Sequence, residues 1–346
     1  MINIIITDDS PTSRELLSHI LASDPELRVV NTVSNGEQAA AAVLRCNPDI
    51  VIMDVHMPKV DGFEATRRIM RDHPVPIVIV SGTLEDEVSA TFRALEAGAL
   101  AFIRQPPAPG HPEYAGAAAE LIRTVKTMAE VKVVRRRDKK QRNTNTIKEI
   151  NTRRTSADIG VIAIGASTGG PAVLQDILSG IAPHLHVPVV IVQHIASGFV
   201  QGLAQWLDQT CGVPIHIATD GETALPAQVY IAPEDRHMGI DGNGRIRLND
   251  GPPDHGLRPS VSHLFRSVAG AFGPRAAGVL LTGMGRDGAQ ELKLMRDGGA
   301  VTVAQDEATS IVHGMPGAAI KLDGAAYVLS PVKIAGLLNH LMSRNV

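Results

Sequence analysis

Residues 161–171 read Val161-Ile162-Ala163-Ile164-Gly165-Ala166-Ser167-Thr168-Gly169-Gly170-Pro171, and the run AVLQDILSG follows. The apolar opening predicts a strand buried on both faces, the glycines a sharp turn, and the spacing beyond Pro171 a helix. Strand, tight turn and helix form the repeating unit of a parallel α/β fold, whose ligand chemistry gathers at the carboxyl ends of the strands. The turn also satisfies G-x-S-x-G, in which small neighbours let a serine stand with its hydroxyl exposed above the sheet. A Gly-rich turn opening a helix also cradles phosphate through backbone N–H groups, so a nucleotide site is the competing reading. Against it, no lysine of the P-loop kind is present and the glycines do not fall at G-x-G-x-x-G.

A serine hydroxyl is a weak nucleophile at neutral pH, so chemistry at Ser167 requires a base and a group that orients the base. Both are expected at other strand ends. PVVIVQ terminates at His194, ahead of the helical run IASGFVQGLAQWL, and AGVLLTGMGRDGAQ carries a buried strand into a Gly-rich turn holding Asp287. A carboxylate there also fits a helix cap. Taken together, Ser167, His194 and Asp287 supply nucleophile, base and orienter in the chain order Ser, His, Asp. That order differs from the Ser, Asp, His of α/β-hydrolases and excludes a routine lipase. Around 215–250 the alternation is interrupted, and Asn243-Gly244 between VYIAPEDRHMGI and RIRL predicts a β-hairpin insert.

The same alternation fills the chain from its start to about residue 125: IIIT, RELLSHILA, VVNTV, EQAAAAVL, IVIM, FEATRRIM and IVIV fit five strand-helix units. The first strand ends at Asp8 and Asp9 and the third at Asp54, so a parallel sheet gathers three carboxylates at one edge, with Ser81 at the end of IVIV. Such a cluster repels itself unless a cation binds, and Mg²⁺ prefers oxygen ligands of this kind. Solvated loop aspartates are the alternative.

Residues 126–157 are rich in charge and poor in apolar side chains, which predicts a linker. Their basic cluster, Arg135, Arg136, Arg137, Lys139 and Lys140, reads as a solvated hinge or as a polyanion address. A chain of 346 residues accommodates two domains, and its 44% hydrophobic and 20% charged residues with net charge −3 argue against a general nucleic-acid binder. There is no helix-turn-helix stretch with a basic recognition face. Cys46 and Cys211, the two cysteines, stand at no metal-ligand spacing and predict neither disulfide nor zinc site, which fits a reducing cytoplasm. The N-terminus lacks the basic region of a signal peptide and no stretch is long enough to span a bilayer.

On TDDS, MDVHMPKVDG, VSG and the strand around Phe102, residues 1–125 resemble a response-regulator receiver domain. The resemblance implies a flavodoxin-like five-stranded parallel sheet, Mg²⁺ at Asp9 with support from Asp8 and a place for Asp54, aspartyl-phosphate formation at Asp54, phosphate contact at Ser81 and aromatic switching at Phe102. One position departs from the pattern. Receivers place a lysine before the proline that follows the fifth strand, whereas this chain reads AFIRQPP with Gln105 there. A glutamine donates a hydrogen bond but brings no charge, and Arg104 points to the opposite face of its strand.

Residues 158–346 resemble the catalytic domain of the chemotaxis protein-glutamate methylesterases, which are also glutamine deamidases. IGASTGGPAVL, VQHIASGF, VYIAPEDRHM, RPSVSHLFRS, LTGMGRDGA and AQDEATSIVHGMPGAAI carry the likeness in one order. The resemblance implies a doubly wound α/β catalytic domain with a Ser167, His194 and Asp287 triad. Thr168 and Met284 match positions of the oxyanion hole and substrate positioning. It implies methylated chemoreceptors as substrate, a chemotaxis histidine kinase as phosphodonor, no small-molecule cofactor in the catalytic domain, and a receiver that blocks the active-site face until phosphorylated. Arg258 then either contacts an acidic receptor surface or packs its own helix, and His313 shapes the rim.

Overall fold

The computed structural model describes residues 1–81, 92, 94–131, 133 and 159–343. The chain forms two compact units, Met1–Asn143 and Thr144–Val346.

In the first unit, strands β1 (Ile2–Thr7), β2 (Leu27–Val33), β3 (Ile50–Asp54), β4 (Ile77–Ser81) and β5 (Ala101–Arg104) form one sheet in the order β2-β1-β3-β4-β5. Every pairing is parallel. The apolar runs IIIT, IVIM and IVIV are buried along their length because helices cover both faces of such a sheet. Helices α1 (Pro11–Ala22), α2 (Gly36–Cys46), α3 (Gly62–Asp72) and α4 (Tyr114–Ala129) return the chain between and after the strands. Their starts are written locally: Ser10, Asn35 and Asp61 each accept a backbone N–H of the first turn of α1, α2 and α3.

Helix α4 moves one expected boundary. It continues to Ala129, with Val125 and Met128 buried and Lys126 paired with Asp24 at 3.2 Å and with Glu26, so residues 126–129 belong to the first unit and not to a linker. The apolar stripe Leu121, Val125, Met128 at helical spacing outweighs the charges around it. The basic cluster at 135–140 lies outside the described residues.

The second unit is a seven-stranded parallel sheet. Its strands are β6 (Val161–Ala166), β7 (Val189–Gln193), β8 (Ile215–Ile217), β9 (Val229–Ile231), β12 (Ala276–Leu280), β13 (Val301–Gln305) and β14 (Tyr327–Leu329), in the order β14-β13-β12-β6-β7-β9-β8. From β6 the chain first builds one side of the sheet and then, from β12, the other. The carboxyl ends of β12, β6 and β7 therefore line the switch point, where a doubly wound sheet opens a crevice. All three central strands are buried at every position.

The hairpin is present as β10 (His237–Ile240) paired antiparallel with β11 (Ile246–Asn249). The Asp241 carbonyl accepts the Gly244 N–H at 2.9 Å, and Gly244 takes φ +74°, so the loop is a three-residue turn ending in a left-handed glycine. Helices α5 (Gly170–Ile181), α6 (Val200–Cys211), α7 (Val261–Phe272), α8 (Ala289–Asp297), α9 (Met315–Lys321) and α10 (Pro331–Met342) complete the unit. Both cysteines are free, Cys211 buried and Cys46 half-buried. Among the described residues no helix is long and apolar enough to cross a membrane.

Candidate functional site

Ser167 directly follows β6 and His194 directly follows β7. Ala166 and Gln193 are register partners, so the serine and the histidine leave adjacent strands at the same level. The His194 N–H donates to the Ala166 carbonyl at 2.9 Å, and the Ser167 N–H to the Thr282 carbonyl beyond β12 at 3.0 Å. Gln193, buried at the end of β7, fastens the two turns together, its amide donating to the carbonyls of Ser167 at 2.8 Å and His194 at 2.7 Å. Gly170 is required by this closeness, because a Cβ there would stand 2.1 Å from Gln193 Oε1. Gly169, at φ +79°, supplies the left-handed residue that turns the chain into α5.

Asp287 arrives from the other side. Its Oδ2 lies 2.9 Å from His194 Nε2 and accepts the Val261 N–H at 2.7 Å, while Oδ1 accepts the Ser262 N–H at 2.9 Å and the Ser260 hydroxyl at 3.1 Å. The carboxylate thus sits on the open N-terminus of α7, where N–H groups lack helical partners and the helix dipole favours an anion. Burial by itself would raise the Asp287 pKa. The His194 bond and charge, together with Ser262, outweigh that and hold the carboxyl well below the ordinary range. An ionised carboxylate only accepts, so His194 carries its proton on Nε2 and presents Nδ1 as the basic nitrogen. Among the described residues no hydrogen bond joins Ser167 Oγ to that ring. In unliganded sites such bonds are commonly long.

Thr168 lies on the turn after β6 and Met284 on the turn after β12, and both are half-buried. The Thr168 carbonyl accepts the Thr282 hydroxyl at 3.0 Å, and a Cβ on Gly283 would meet the Ser167 Cβ at 2.6 Å. His313 runs beside this turn through the Gly283 bridge and directs Nδ1 to Ser310 Oγ at 3.3 Å. Arg258 is engaged within its own unit. It pairs with Asp235 at 2.7 Å and donates to the carbonyls of Asp250 and Gly251 at 3.1 Å each, anchoring the segment that leads to Ser260. Reading by strand ends missed Gln193, Ser260, Ser262 and Glu234. The last accepts the N–H groups of Gly198 at 2.6 Å and Val200 at 3.4 Å and so fixes the turn after His194.

At the edge of the first sheet, one carboxylate oxygen from each of Asp8, Asp9 and Asp54 lies within 4.8 Å of the others. Burial first, then the charge of Asp8, pushes the Asp54 pKa up to about 7, against the N–H groups of Val55 and His56, and Asp9 adds to the rise. Burial also raises Asp8, opposed by bonds from Ser13 and Ser10. Three converging, under-neutralised oxygen donors suit a hard divalent cation. Ser81, at the end of β4, is buried with a hydroxyl that has no hydrogen-bond partner among the described residues. Phe102 is half-buried and packs edge-on against Phe92, with ring centroids 5.8 Å apart. Arg104 is exposed and lies 3.9 Å from Glu113.

A five-stranded receiver-type sheet with an aspartate pocket, followed by a doubly wound unit with a serine, histidine and aspartate at its switch point, defines a response regulator with an enzymatic output. Residues 4–111 match the response regulator receiver domain and residues 162–338 the CheB methylesterase family, and the chain belongs to that family. A protein-glutamate methylesterase/protein-glutamine glutaminase of Geobacter metallireducens is 48% identical over 343 residues, covering 99% of each chain. One of Syntrophus aciditrophicus is 49% identical over 346 residues, covering 98% of this chain and 97% of that one. Among solved structures, the CheB methylesterase catalytic domain of Thermotoga maritima is similar with a TM-score of 0.51 and 35% identity, over 54% of this chain and 100% of that one.

Proposed function

We propose that this protein hydrolyses glutamate methyl esters on chemoreceptors, releasing methanol, and deamidates receptor glutamines, under control of phosphorylation at Asp54. The observation that carries the reading is the His194–Asp287 bond of 2.9 Å at the strand end adjoining Ser167.

Ser167 Oγ attacks the ester or amide carbonyl while His194 takes its proton, and Asp287 stabilises the imidazolium through the Nε2–H bond. Collapse of the tetrahedral intermediate expels methanol or ammonia, which receives the proton from His194. Water, activated by the same ring, then frees the glutamate and restores the serine. Backbone N–H groups of the turns at Thr168 and Met284 hold the oxyanion, each such donor being worth roughly 2.7–4 kcal/mol.

In the first unit, Asp8, Asp9 and Asp54 would hold Mg²⁺, which when bound neutralises charge for phosphoryl transfer to Asp54 from a chemotaxis histidine kinase. Ser81 contacts the phosphoryl group and Phe102 answers it as the aromatic switch. With such partners the protein works in the cytoplasm, on the receptors' cytoplasmic helices, the first unit serving as the regulatory domain and the second as the catalytic domain.

Methanol release from a methylated receptor fragment tests the reading. Ser167→Ala is expected to lower it by about 10⁴-fold or more while the fold persists. Unchanged release sinks the hydrolase mechanism. An acyl-phosphate donor with Mg²⁺ is expected to raise the wild-type rate and leave that of Asp54→Asn unmoved, and equal rates with and without donor sink the regulation.

A further inference from the structure

The acidic pocket of the first unit is tied to the rest of the sheet edge by a chain of hydrogen bonds from neutral donors. Gln105, the residue after β5, donates from Nε2 to Ser13 Oγ at 3.0 Å, and the Ser13 hydroxyl donates in turn to Asp8 Oδ2. Ser13 is buried on the first turn of α1, and Asp8 is buried as well. The second Asp8 oxygen accepts the Ser10 N–H at 2.8 Å. Both oxygens of the buried carboxylate therefore have a donor, and one of the two donors is oriented from β5 across the pocket.

The charge arrangement makes these bonds consequential. Among the described residues, no lysine or arginine nitrogen is within ion-pair distance of the Asp8, Asp9 or Asp54 carboxylates. Arg14 comes near, but its Nη1 donates to the backbone carbonyls of Asp8 at 2.6 Å and Asp9 at 3.0 Å, so it pins the loop and not the side chains. Orientation of the Asp8 carboxylate rests on hydroxyl and N–H donors alone. A hydroxyl has one proton, so Ser13 Oγ, having given its own to Asp8, is free to accept from Gln105. The amide thereby fixes the rotor of the serine and leaves no alternative direction for its proton.

We propose that Ser13 is a positioning residue for the cation pocket and that Gln105 acts on the pocket only through Ser13. The inference rests on the reading of Asp8, Asp9 and Asp54 as a Mg²⁺ site. Groups that orient a metal's ligands typically change affinity by about 10–100-fold when removed. Ser13→Ala deletes the direct bond, whereas Gln105→Ala only loosens the serine that makes it.

Calorimetric titration of the full-length chain with MgCl₂ decides the matter, with Asp9→Asn identifying the heat that belongs to the pocket. Ser13→Ala is expected to weaken binding about 10-fold, and Gln105→Ala by a smaller factor. The double variant is expected to match Ser13→Ala alone. Wild-type affinity in Ser13→Ala overturns the inference, as does a double variant showing the product of the two single effects, since Gln105 would then act independently. No pocket heat in the wild type removes the Mg²⁺ reading itself, an outcome distinct from a wild type that binds and a serine variant that binds equally well. Thermal midpoints of the metal-free wild type and Gln105→Ala are expected to stay together, because a general loss of packing would move stability along with affinity.

Discussion

Asp54 and Asp287 each stand at the carboxyl edge of a parallel sheet, the first half-buried and the second buried. Around Asp54 the neighbours are Asp8 and Asp9, the opposing donors are the N–H groups of Val55, at 2.7 Å, and of His56, and the pKa is driven up to about 7. Around Asp287 the neighbours are His194, the Ser260 hydroxyl and two N–H groups of a helix start, and the pKa is driven down. Burial disfavours the charged form at both places. What separates them is the count of fixed donors. One site leaves its anions under-compensated and so favours a cation from solution; the other satisfies its anion with built-in dipoles and spends the charge on orienting an imidazole.

The sharpest break in this comparison comes from Asp287→Asn. The amide keeps the shape but turns a donor toward groups that need an acceptor and favours the wrong histidine tautomer, so ester hydrolysis is expected to fall by roughly 10⁴-fold. Stability of the second unit is expected to fall by about 3 kcal/mol, since removing one partner of a buried network leaves the others uncompensated. The pH dependence has a definite sign. The folded pKa of Asp287 lies below its unfolded value, so the contribution is fully present above about pH 4, the unfolded aspartate value, and declines as pH falls further toward the folded one. The gap in urea midpoint between wild type and Asp287→Asn should accordingly be widest at pH 7, begin to narrow below about pH 4, and close only as pH falls through the folded value. A constant gap across that range would mean that the donors stabilise the loop and not the charge.

Gln193→Ala is the next largest. It removes the link between the carbonyls of Ser167 and His194 and leaves a cavity beside Gly170. Loss of buried contacts and bonds predicts about 2–3 kcal/mol. Misplacement of nucleophile and base predicts a fall in kcat of about 10–100-fold with KM little changed. A rise in KM at constant kcat would show that Gln193 shapes the substrate cleft.

The contrast between the two edges also governs how much was readable in the sequence. Buried strands announce themselves as apolar runs, so VIAI, VVIVQ, IIIT and IVIM delivered both sheets and the residues at their ends, including Ser167, His194 and Asp54. Asp287 was legible as a residue type in a Gly-rich turn, while its partners were not. Ser260 and Ser262 lie 27 and 25 residues away in sequence and meet it only because α7 begins against the β12 turn. Gln193 was hidden in plain view as the polar end of an apolar run, with nothing local to show that its amide reaches back to Ser167. For Arg258 the residue type allows two roles, and its contacts with Asp235 and the carbonyls of Asp250 and Gly251 join segments distant in sequence. Charge composition misplaced the end of the first unit, because a stripe of three buried residues keeps α4 helical to Ala129. Gln105 was visible as a missing charge, but its bond to Ser13 spans 92 residues.

The smallest expected effect tests the under-compensated side. In the metal-free protein at pH 8, Asp54→Asn removes one of three mutually repelling carboxylates and keeps a side-chain oxygen for the Val55 N–H. Relief of like-charge repulsion in a partly solvated pocket is worth on the order of 1 kcal/mol, or about 4 °C in the unfolding of a unit of this size. The sign is the reverse of that at Asp287, where the same Asp to Asn change destabilises. Saturating Mg²⁺ should invert it again, because a ligand that binds only the folded wild-type pocket stabilises it by mass action, and the variant has lost one of the ligands. Calorimetric scans in EDTA and in excess MgCl₂ therefore predict curves whose order crosses. If Asp54→Asn is the less stable protein in EDTA as well, the pocket already neutralises its own charge, and the two sheet edges are electrostatically alike.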